Sequence, residues 1–200
     1  MILEENSEYI TWKEKLTNCS TERLPVAWLH HPTFGGPLLD GAELIVEGKK
    51  IIVPPQNRDE LADLKSGYKG EWPLAMESNG NNFRDCSKVM DFGDHREHVV
   101  VIGDFDVGWG CVWNEKRKLG FGLAWDKNIF PYALSWSTGT GTRKYPIWGS
   151  CRTITLQPST SPLLPFDELV ANDLVLYVEG DKSIETTIKT GFISNKNTSF

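Results

Sequence analysis

Apolar and polar residues alternate over short distances along most of the chain, and turn residues interrupt this alternation at close intervals. Since successive side chains of a strand point to opposite faces, the pattern predicts an all-β sandwich. A half-buried strand ending at Asn18 is predicted by EYITWKEKLTN. Two further strands are predicted by AELIVEGKKIIVPP, with a turn at EGKK and prolines ending the second strand.

The second half of the chain shows the same alternating runs interrupted by turn residues. One strand is predicted by HVVVIGDF, and a hairpin with a charged tip at residues 114 to 118 by WGCVWNEKRKLGFGLAW. Further strands are predicted by YALSWSTGTGTRKYPIW and CRTITLQP, and a closing hairpin that turns at Gly180 and Asp181 by DLVLYVEGDKSIETTIKTGFI. Short helices are predicted by NRDELADLK, from Asn57, and by PFDELVAND. Residues 66 to 90 are predicted to form a long functional loop.

Composition narrows the class of protein. The 200 residues are enough for one domain, which we assign to residues 1 to 200, and the net charge of −6 without a long basic cluster argues against nucleic-acid partners. The longest apolar runs are too short to span a membrane, and the N-terminus lacks the features of a signal peptide. We therefore expect a cytoplasmic protein with no membrane partner. The four isolated cysteines are expected to be buried free thiols.

Two adjacent histidines, His30 and His31, end the apolar run of VAWLHHPTFGG. They could pack in the structure, bind a metal or act as a catalytic acid. Neighbouring side chains of an extended segment diverge, and the histidines of this chain lack HxH or HxxxH spacing. We therefore expect no metal and no cofactor, and packing at a strand end remains the structural alternative to a site.

Four blocks of the chain resemble one family, the aldose 1-epimerases or galactose mutarotases. The first, LTNCSTERLPVAWLHHPTFGGPLL, is similar to the family's central segment and its HHPxFG relatives through Thr17, Asn18, His30, His31 and the Pro32 to Phe34 segment. The others are GWGCVWNEKRKLGFGLAWDKNIFPYALSW, TITLQPSTSPLLPFDEL and LVLYVEGDKSIETTIKTGF. Together they extend over roughly residues 10 to 193, and their order agrees with that of the family.

The resemblance implies an antiparallel β supersandwich of the galactose mutarotase type, forming a single carbohydrate-binding domain. Chains of that family are usually longer, so we expect an N-terminally shortened form that lacks strands contributing to the sugar site. Such an opened sheet would leave an unpaired edge, which predicts either a homodimer formed along that edge or poor solubility. The family's catalytic glutamate aligns with Gln157, whose amide cannot act as a general base.

Anomer interconversion needs one group to take a proton from the C1 hydroxyl and another to give a proton to the ring oxygen. The resemblance assigns the acid role to His31, which stands directly before Pro32. Asp104 and Asp106 in GDFDVGWG are the best substitute carboxylates, and we predict Asp106 as the base and Asp104 as a substrate-binding residue. Turn-forming aspartates are the structural alternative for this pair.

Other candidates would contact the sugar without reacting. They are His30 beside His31, Phe34 as the nearby aromatic, Gln157 as a hydrogen-bonding amide, and Arg152, which could bind a sugar oxygen or an acidic substituent. A tryptophan could stack on a sugar ring, although most tryptophans of a sandwich lie in its core. The tryptophans considered for stacking are Trp109, which we favour, together with Trp125, Trp136 and Trp148.

Three functions remain open at this point, all with a monosaccharide or related carbohydrate as the partner. The first is an aldose 1-epimerase-like isomerase with His31 as the acid. The second is a carbohydrate-binding protein that has lost the base. The third is another sugar or sugar-phosphate isomerase on the same fold, in which an aspartate transfers the proton.

Overall fold

The computed structural model of the protein describes residues 1–3, 5, 7–55, 63–143 and 145–196. Within these residues the only α-helix is α1 (Phe166–Ala171), and a single 3-10 turn spans Gly36–Leu39. The remaining regular structure is extended, as the alternating pattern predicts. In chain order the strands are β1 (Tyr9–Thr17), β2 (Leu24–Val26), β3 (Thr33–Phe34), β4 (Ala42–Ile52), β5 (Lys69–Glu71), β6 (Leu74–Met76), β7 (Phe83–Asp85), β8 (Glu97–Asn114), β9 (Leu119–Trp125), β10 (Tyr132–Thr138), β11 (Thr153–Thr155), β12 (Gln157–Ser159), β13 (Leu176–Val178) and β14 (Ser183–Ile193).

The long strand β8 organises the main antiparallel sheet. One of its edges pairs with β4, whereas the other edge pairs with β10 along its first half and with β9 along its second half. The sheet therefore divides into two halves, β10 with β11, β12 and β3, and β9 with β14 and β1. The division lies near Asp104, which has a φ of 59°, and near a register shift between Val46 and Gly48. A β-bulge of this kind increases the local bend of a strand.

The main hydrophobic core draws its side chains from both halves. Ile102, Ile154 and Leu156 come from the first half, and Val112 and Leu123 from the second, and all five are completely or almost completely buried. Each such side chain contributes about 1.5–3 kcal/mol relative to an exposed position. The structure thus confirms the all-β sandwich.

The prediction of two strands joined at EGKK is wrong, because Ala42–Ile52 is one continuous strand with a bulge. The polar EGKK residues lie in the bulge and do not reverse the chain. Gly48 is required there, since a Cβ at this position would lie 2.4 Å from Ile102 Cγ2. A bulge changes which residues face the core, and the sequence pattern of a bulge resembles that of a turn.

The predicted closing hairpin is also wrong. The chain turns at Gly180 and Asp181, but β13 pairs with β2 while β14 pairs with β1 and β9. The two strands therefore enter different sheets after the turn. Asn18 helps to hold this arrangement, because its side-chain amide donates to the carbonyl oxygens of Glu22 and Val178 at 2.7 and 2.9 Å.

The other sequence predictions have mixed outcomes. The charged hairpin tip at 114 to 118 is confirmed between β8 and β9, and the PFDELVAND helix is confirmed as α1. HVVVIGDF and WGCVW form one strand, β8, because the bulged backbone continues through Asp104. The 66 to 90 segment contains β5, β6 and β7 in addition to loops. The helix predicted from Asn57 lies outside the described residues for most of its length.

The thiols divide into two groups. Cys86 and Cys111 are fully buried, and burial raises the pKa of each thiol to about 12. Cys19 is exposed and Cys151 is partly buried, so the expectation of buried free thiols holds only for the first pair. In the described part of the chain, no helix has the length and apolar character required to cross a membrane.

Candidate functional site

The segment that contains the two histidines runs antiparallel to β11 and β12. The backbone N–H of His30 donates to Pro158 O at 3.0 Å, and the N–H of Leu156 donates to Pro32 O at 3.3 Å. These two hydrogen bonds bracket His31 and Gln157 and place them opposite each other as a non-hydrogen-bonded pair. Opposing side chains of such a pair project to the same face of the sheet. We call this side of the sheet the His31 face.

His31 is exposed at the edge of the His31 face. Its Nδ1 lies 3.1 Å from Thr33 Oγ1, and the Thr33 hydroxyl also lies 3.3 Å from the His31 carbonyl oxygen, to which it can donate. If the hydroxyl donates to this carbonyl, Nδ1 carries the ring proton and Nε2 has a free lone pair; if it donates to Nδ1, Nε2 carries the proton. In both arrangements Nε2 is the nitrogen available to a ligand.

Gln157 is buried beside His31, with 5% of its surface exposed. Its Nε2 donates to Thr155 Oγ1 at 2.6 Å, and the backbone N–H of Trp136 donates to the same hydroxyl oxygen at 2.8 Å. The donor side of the carboxamide is thereby held in place. Its oxygen Oε1 remains the acceptor for a ligand hydroxyl.

His30 projects to the opposite face, into the sandwich. Its ring lies 5.3 Å from that of Phe130 and 6.0 Å from that of Trp28, and its Nε2 lies 3.0 Å from Glu14 Oε2. Burial lowers the pKa of His30, and the carboxylate of Glu14 opposes this effect. The structure therefore does not bring His30 and His31 into one pocket. Phe34 also faces inward and packs against Phe121 at a ring distance of 5.8 Å.

The two aspartates lie elsewhere on the sheet. Gln157 is opposite Leu134, and Leu134 is opposite Val101, whereas Asp106 is five residues further along β8. Asp106 is thus displaced from Gln157 by two strands across the sheet and by five residues along β8. Together these displacements correspond to about 19 Å between the two backbones. Asp106 Oδ1 accepts a hydrogen bond from Lys49 Nζ at 2.6 Å, which lowers the pKa of this carboxyl. Asp104 occupies the bend of β8.

Trp109 and Arg152 likewise have structural surroundings. Trp109 is buried in a second cluster with Cys111, Trp113 and Ile193. The guanidinium of Arg152 donates to Met90 O, Leu39 O and Asp40 Oδ1 at 2.7, 2.9 and 2.7 Å, and it links three segments of the chain.

The tryptophan on the His31 face is Trp136, which is partly buried. It lies two residues from Leu134 on β10 and so shares the face of Gln157. Its Nε1 donates to Glu97 Oε2 at 3.4 Å, and the Thr142 hydroxyl donates to the same oxygen. By contrast, Trp125 is buried with Nε1 donating to Phe130 O, and Trp148 is 69% exposed.

Sequence reasoning missed Thr33, Thr155 and Glu97. The alternation could have identified two of them, because residues two apart in a strand share a face. Thr33 lies two residues from His31, and Thr155 lies two residues from Gln157. Assigning Glu97 also needed the strand register, which follows from pairing over long sequence separation. Among the described residues, no cluster of three or more His, Cys, Asp or Glu could hold a metal ion.

Comparisons with known proteins agree on the fold. The chain is similar to a candidate aldose 1-epimerase from Klebsiella pneumoniae (14% identity, TM-score 0.67), over 95% of this chain and 44% of that one. It is also similar to another from Escherichia coli K12 (12%, TM-score 0.61), over 93% and 56%, and to a galactose mutarotase related enzyme from Lactobacillus acidophilus (12%, TM-score 0.60), over 96% and 60%. No protein-family model and no curated protein matches the chain.

These similarities identify a galactose mutarotase-like fold, as the sequence resemblance implies. The chain spans about half the length of the first of these structures, with 44% of the Klebsiella protein covered. At 12–14% identity the likeness concerns the fold alone.

Proposed function

We propose that this chain is an aldose 1-epimerase-like carbohydrate-binding protein that holds the pyranose form of a free sugar on the His31 face. The observation that carries the proposal is the strand register that sets His31 opposite Gln157. Imidazole Nε2 and carboxamide Oε1 can then both meet hydroxyl groups of one ring. Trp136 on the same face offers an apolar surface on which a sugar ring can stack.

Binding without efficient anomer interconversion is the best supported form of this function. Ring opening needs a proton acceptor and a proton donor, and His31 can supply only one of them at a time. Gln157 can accept a hydrogen bond but cannot take up a proton near neutral pH. Asp106, predicted as the base, pairs with Lys49, and Glu14 pairs with His30 inside the sandwich.

The experiment is titration calorimetry of the protein with galactose and glucose. We expect saturable binding, at least about tenfold weaker in His31→Ala because a hydrogen bond to the sugar is lost from a partly desolvated site. Lys13→Ala is the control, since Lys13 lies on β1 in the other half of the sheet. Absence of binding to any monosaccharide, or an equal loss in both variants, would refute the proposal.

The second candidate is aldose 1-epimerase activity with His31 as the acid and a second group on the His31 face as the base, since Asp106 lies about 19 Å away in the sheet. It is favoured by the exposure of His31 at the edge of the sheet, where a sugar hydroxyl can reach its imidazole. Polarimetry of fresh α-galactose separates the candidates. Faster equilibration with the wild type, abolished in His31→Ala and retained in Asp106→Asn, would establish this second function.

The variant Gln157→Glu sharpens the distinction. A carboxylate at this position could accept a proton, and the Thr155 hydroxyl could rotate to donate to it. We expect anomer exchange to appear in Gln157→Glu and to require His31. If the wild type is already active and Gln157→Glu is inactive, the amide has a catalytic positioning role and the binding-only function is wrong. A different sugar isomerase on this fold would instead convert its substrate to a new sugar, detectable by chromatography.

A further inference from the structure

We infer that a pocket which shares no residue with the His31 face binds a small organic carboxylate. This pocket has a volume of about 580 Å³ and lies where β4 begins, β8 ends and the chain approaches β11. That volume is in the range of pockets for small metabolites. Its lining residues are Asp40, Gly41, Asp91, Phe92, Asn114, Lys116, Arg117 and Arg152. We call it the Arg152 pocket.

The Arg152 pocket has a local charge opposite in sign to that of the protein. Its lining contains three cationic side chains, Lys116, Arg117 and Arg152, against two anionic ones, Asp40 and Asp91. The complete chain carries a formal net charge of −6. An anion therefore meets an excess of positive charge here that most of the surface does not offer.

Arg152 is held rigidly at this pocket. Its side chain is only 9% exposed, and its Nε, Nη1 and Nη2 each donate one hydrogen bond, to Met90 O, Asp40 Oδ1 and Leu39 O respectively. A guanidinium has five N–H groups, so one on Nη1 and one on Nη2 remain for a ligand. Because the fork is already oriented, little side-chain entropy is lost when a carboxylate binds to it.

Asp40 indicates the kind of ligand. Its carboxylate lies 2.7 Å from Arg152 Nη1, yet its side chain is 64% exposed, so this ion pair is open to competition from solution. Gly41, with a φ of 73°, turns the chain away directly after Asp40 and presents no side chain to the pocket. A ligand carboxylate can therefore take the position on Arg152 that the Asp40 carboxylate occupies, in the planar geometry that arginine favours.

Arg117 and Phe92 complete the recognition. Arg117 donates from its backbone N–H to Asn114 Oδ1 at 3.0 Å and from Nε to Pro37 O at 3.1 Å, which fixes its guanidinium beside the pocket. Phe92 is 75% exposed at the rim and offers a flat apolar surface. The ligand class that matches both features is a carboxylate attached to an apolar or aromatic body.

The test is an NMR titration of the full chain at low ionic strength, with benzoate as the probe and benzamide as its neutral counterpart. We expect benzoate to bind saturably and benzamide not to bind. The double variant Lys116→Ser/Arg117→Ser should weaken benzoate binding by about tenfold, because two charge-assisted contacts are lost. Asp40→Asn should strengthen it by about threefold, because the competing carboxylate is removed.

Lys13→Ser/Lys15→Ser is the matched control, since it removes the same number of positive charges from exposed positions on β1. Its affinity for benzoate should equal that of the wild type. An equal loss in the two double variants, equal binding of benzamide, or a loss of affinity in Asp40→Asn would overturn the inference. The result does not depend on sugar binding at the His31 face, because the probes contain no sugar.

Discussion

The two faces of the pairing between residues 30–34 and residues 154–158 differ sharply although they share one backbone. On the inner side, His30 packs against Phe130 and pairs with Glu14, and Leu156 is completely buried. On the outer side, His31 and Gln157 lie opposite each other among hydroxyl groups. Two neighbouring histidines thus have one partly buried and one exposed environment because side chains alternate along an extended chain.

Residue type alone is therefore a poor guide to function at this position. His30 and His31 have identical chemistry and adjacent places in the sequence. What distinguishes them is the neighbour that each meets on its own face of the sheet. Variants on the two faces should therefore affect different observables, and the following predictions test that separation.

The largest effect is expected on the inner face, from Leu156→Ala. Leu156 has no exposed surface, so truncation should lower the free energy of unfolding by about 3 kcal/mol, through lost burial and a new cavity. Urea unfolding followed by tryptophan fluorescence measures this change. Thr33→Ala on the outer face is the control and should change stability by less than about 0.5 kcal/mol. Comparable losses of stability in the two variants would contradict the proposed difference between the inner and outer faces.

The two histidines provide the closest matched pair. His30→Ala should cost about 2 kcal/mol of stability, because it removes packing against Phe130 and leaves the partly buried Glu14 without its partner. His31→Ala should change stability by less than about 0.5 kcal/mol, since its ring is exposed. Thermal and urea unfolding of both variants would check this order. A larger stability loss in His31→Ala would contradict the assignment of faces.

The pH dependence of stability should separate the histidines further. Burial lowers the pKa of His30 in the folded protein, whereas the unfolded chain takes up this proton with a pKa of about 6.5. The unfolded state therefore binds more protons between these two pKa values, and the free energy of unfolding falls as the pH falls through that window. Urea unfolding at pH 7.5 and 5.5 should show a smaller decrease in His30→Gln than in the wild type. If stability decreases equally in His30→Gln and in the wild type, groups other than His30 cause the pH dependence.

The smallest effect is expected from Thr33→Val on the outer face. This change keeps the shape of the side chain but removes the hydroxyl beside His31 Nδ1. The imidazole would lose its orientation, and we expect sugar affinity to fall by about threefold with no measurable change in stability. Thr33→Ser restores the hydroxyl and should restore the affinity in calorimetry. If valine and serine behave alike, the hydroxyl does not position the ring.

Much of the fold could be predicted from local sequence. The alternation of β1, the charged tip between β8 and β9, and the acidic first turn of α1 all depend on residues close in the chain. The predicted strand boundaries were wrong where contacts between residues distant in the sequence determine the backbone conformation. Gly48 forms part of a bulge because Ile102 packs against it, and β13 joins β2 instead of the strand that follows it.

The candidate site divides in the same way. The sequence by itself determined that the chain is a β sandwich, that its HHPTFG and LQPSTSP segments resemble a sugar-handling family, and that an amide stands at Gln157. Only the tertiary structure decided that His31 shares a face with Gln157, that His30 turns inward, and that Asp106 pairs with Lys49. The physical reason is that alternation follows from the covalent chain, whereas the choice of face and partner depends on the register and packing of strands that are separate in the sequence.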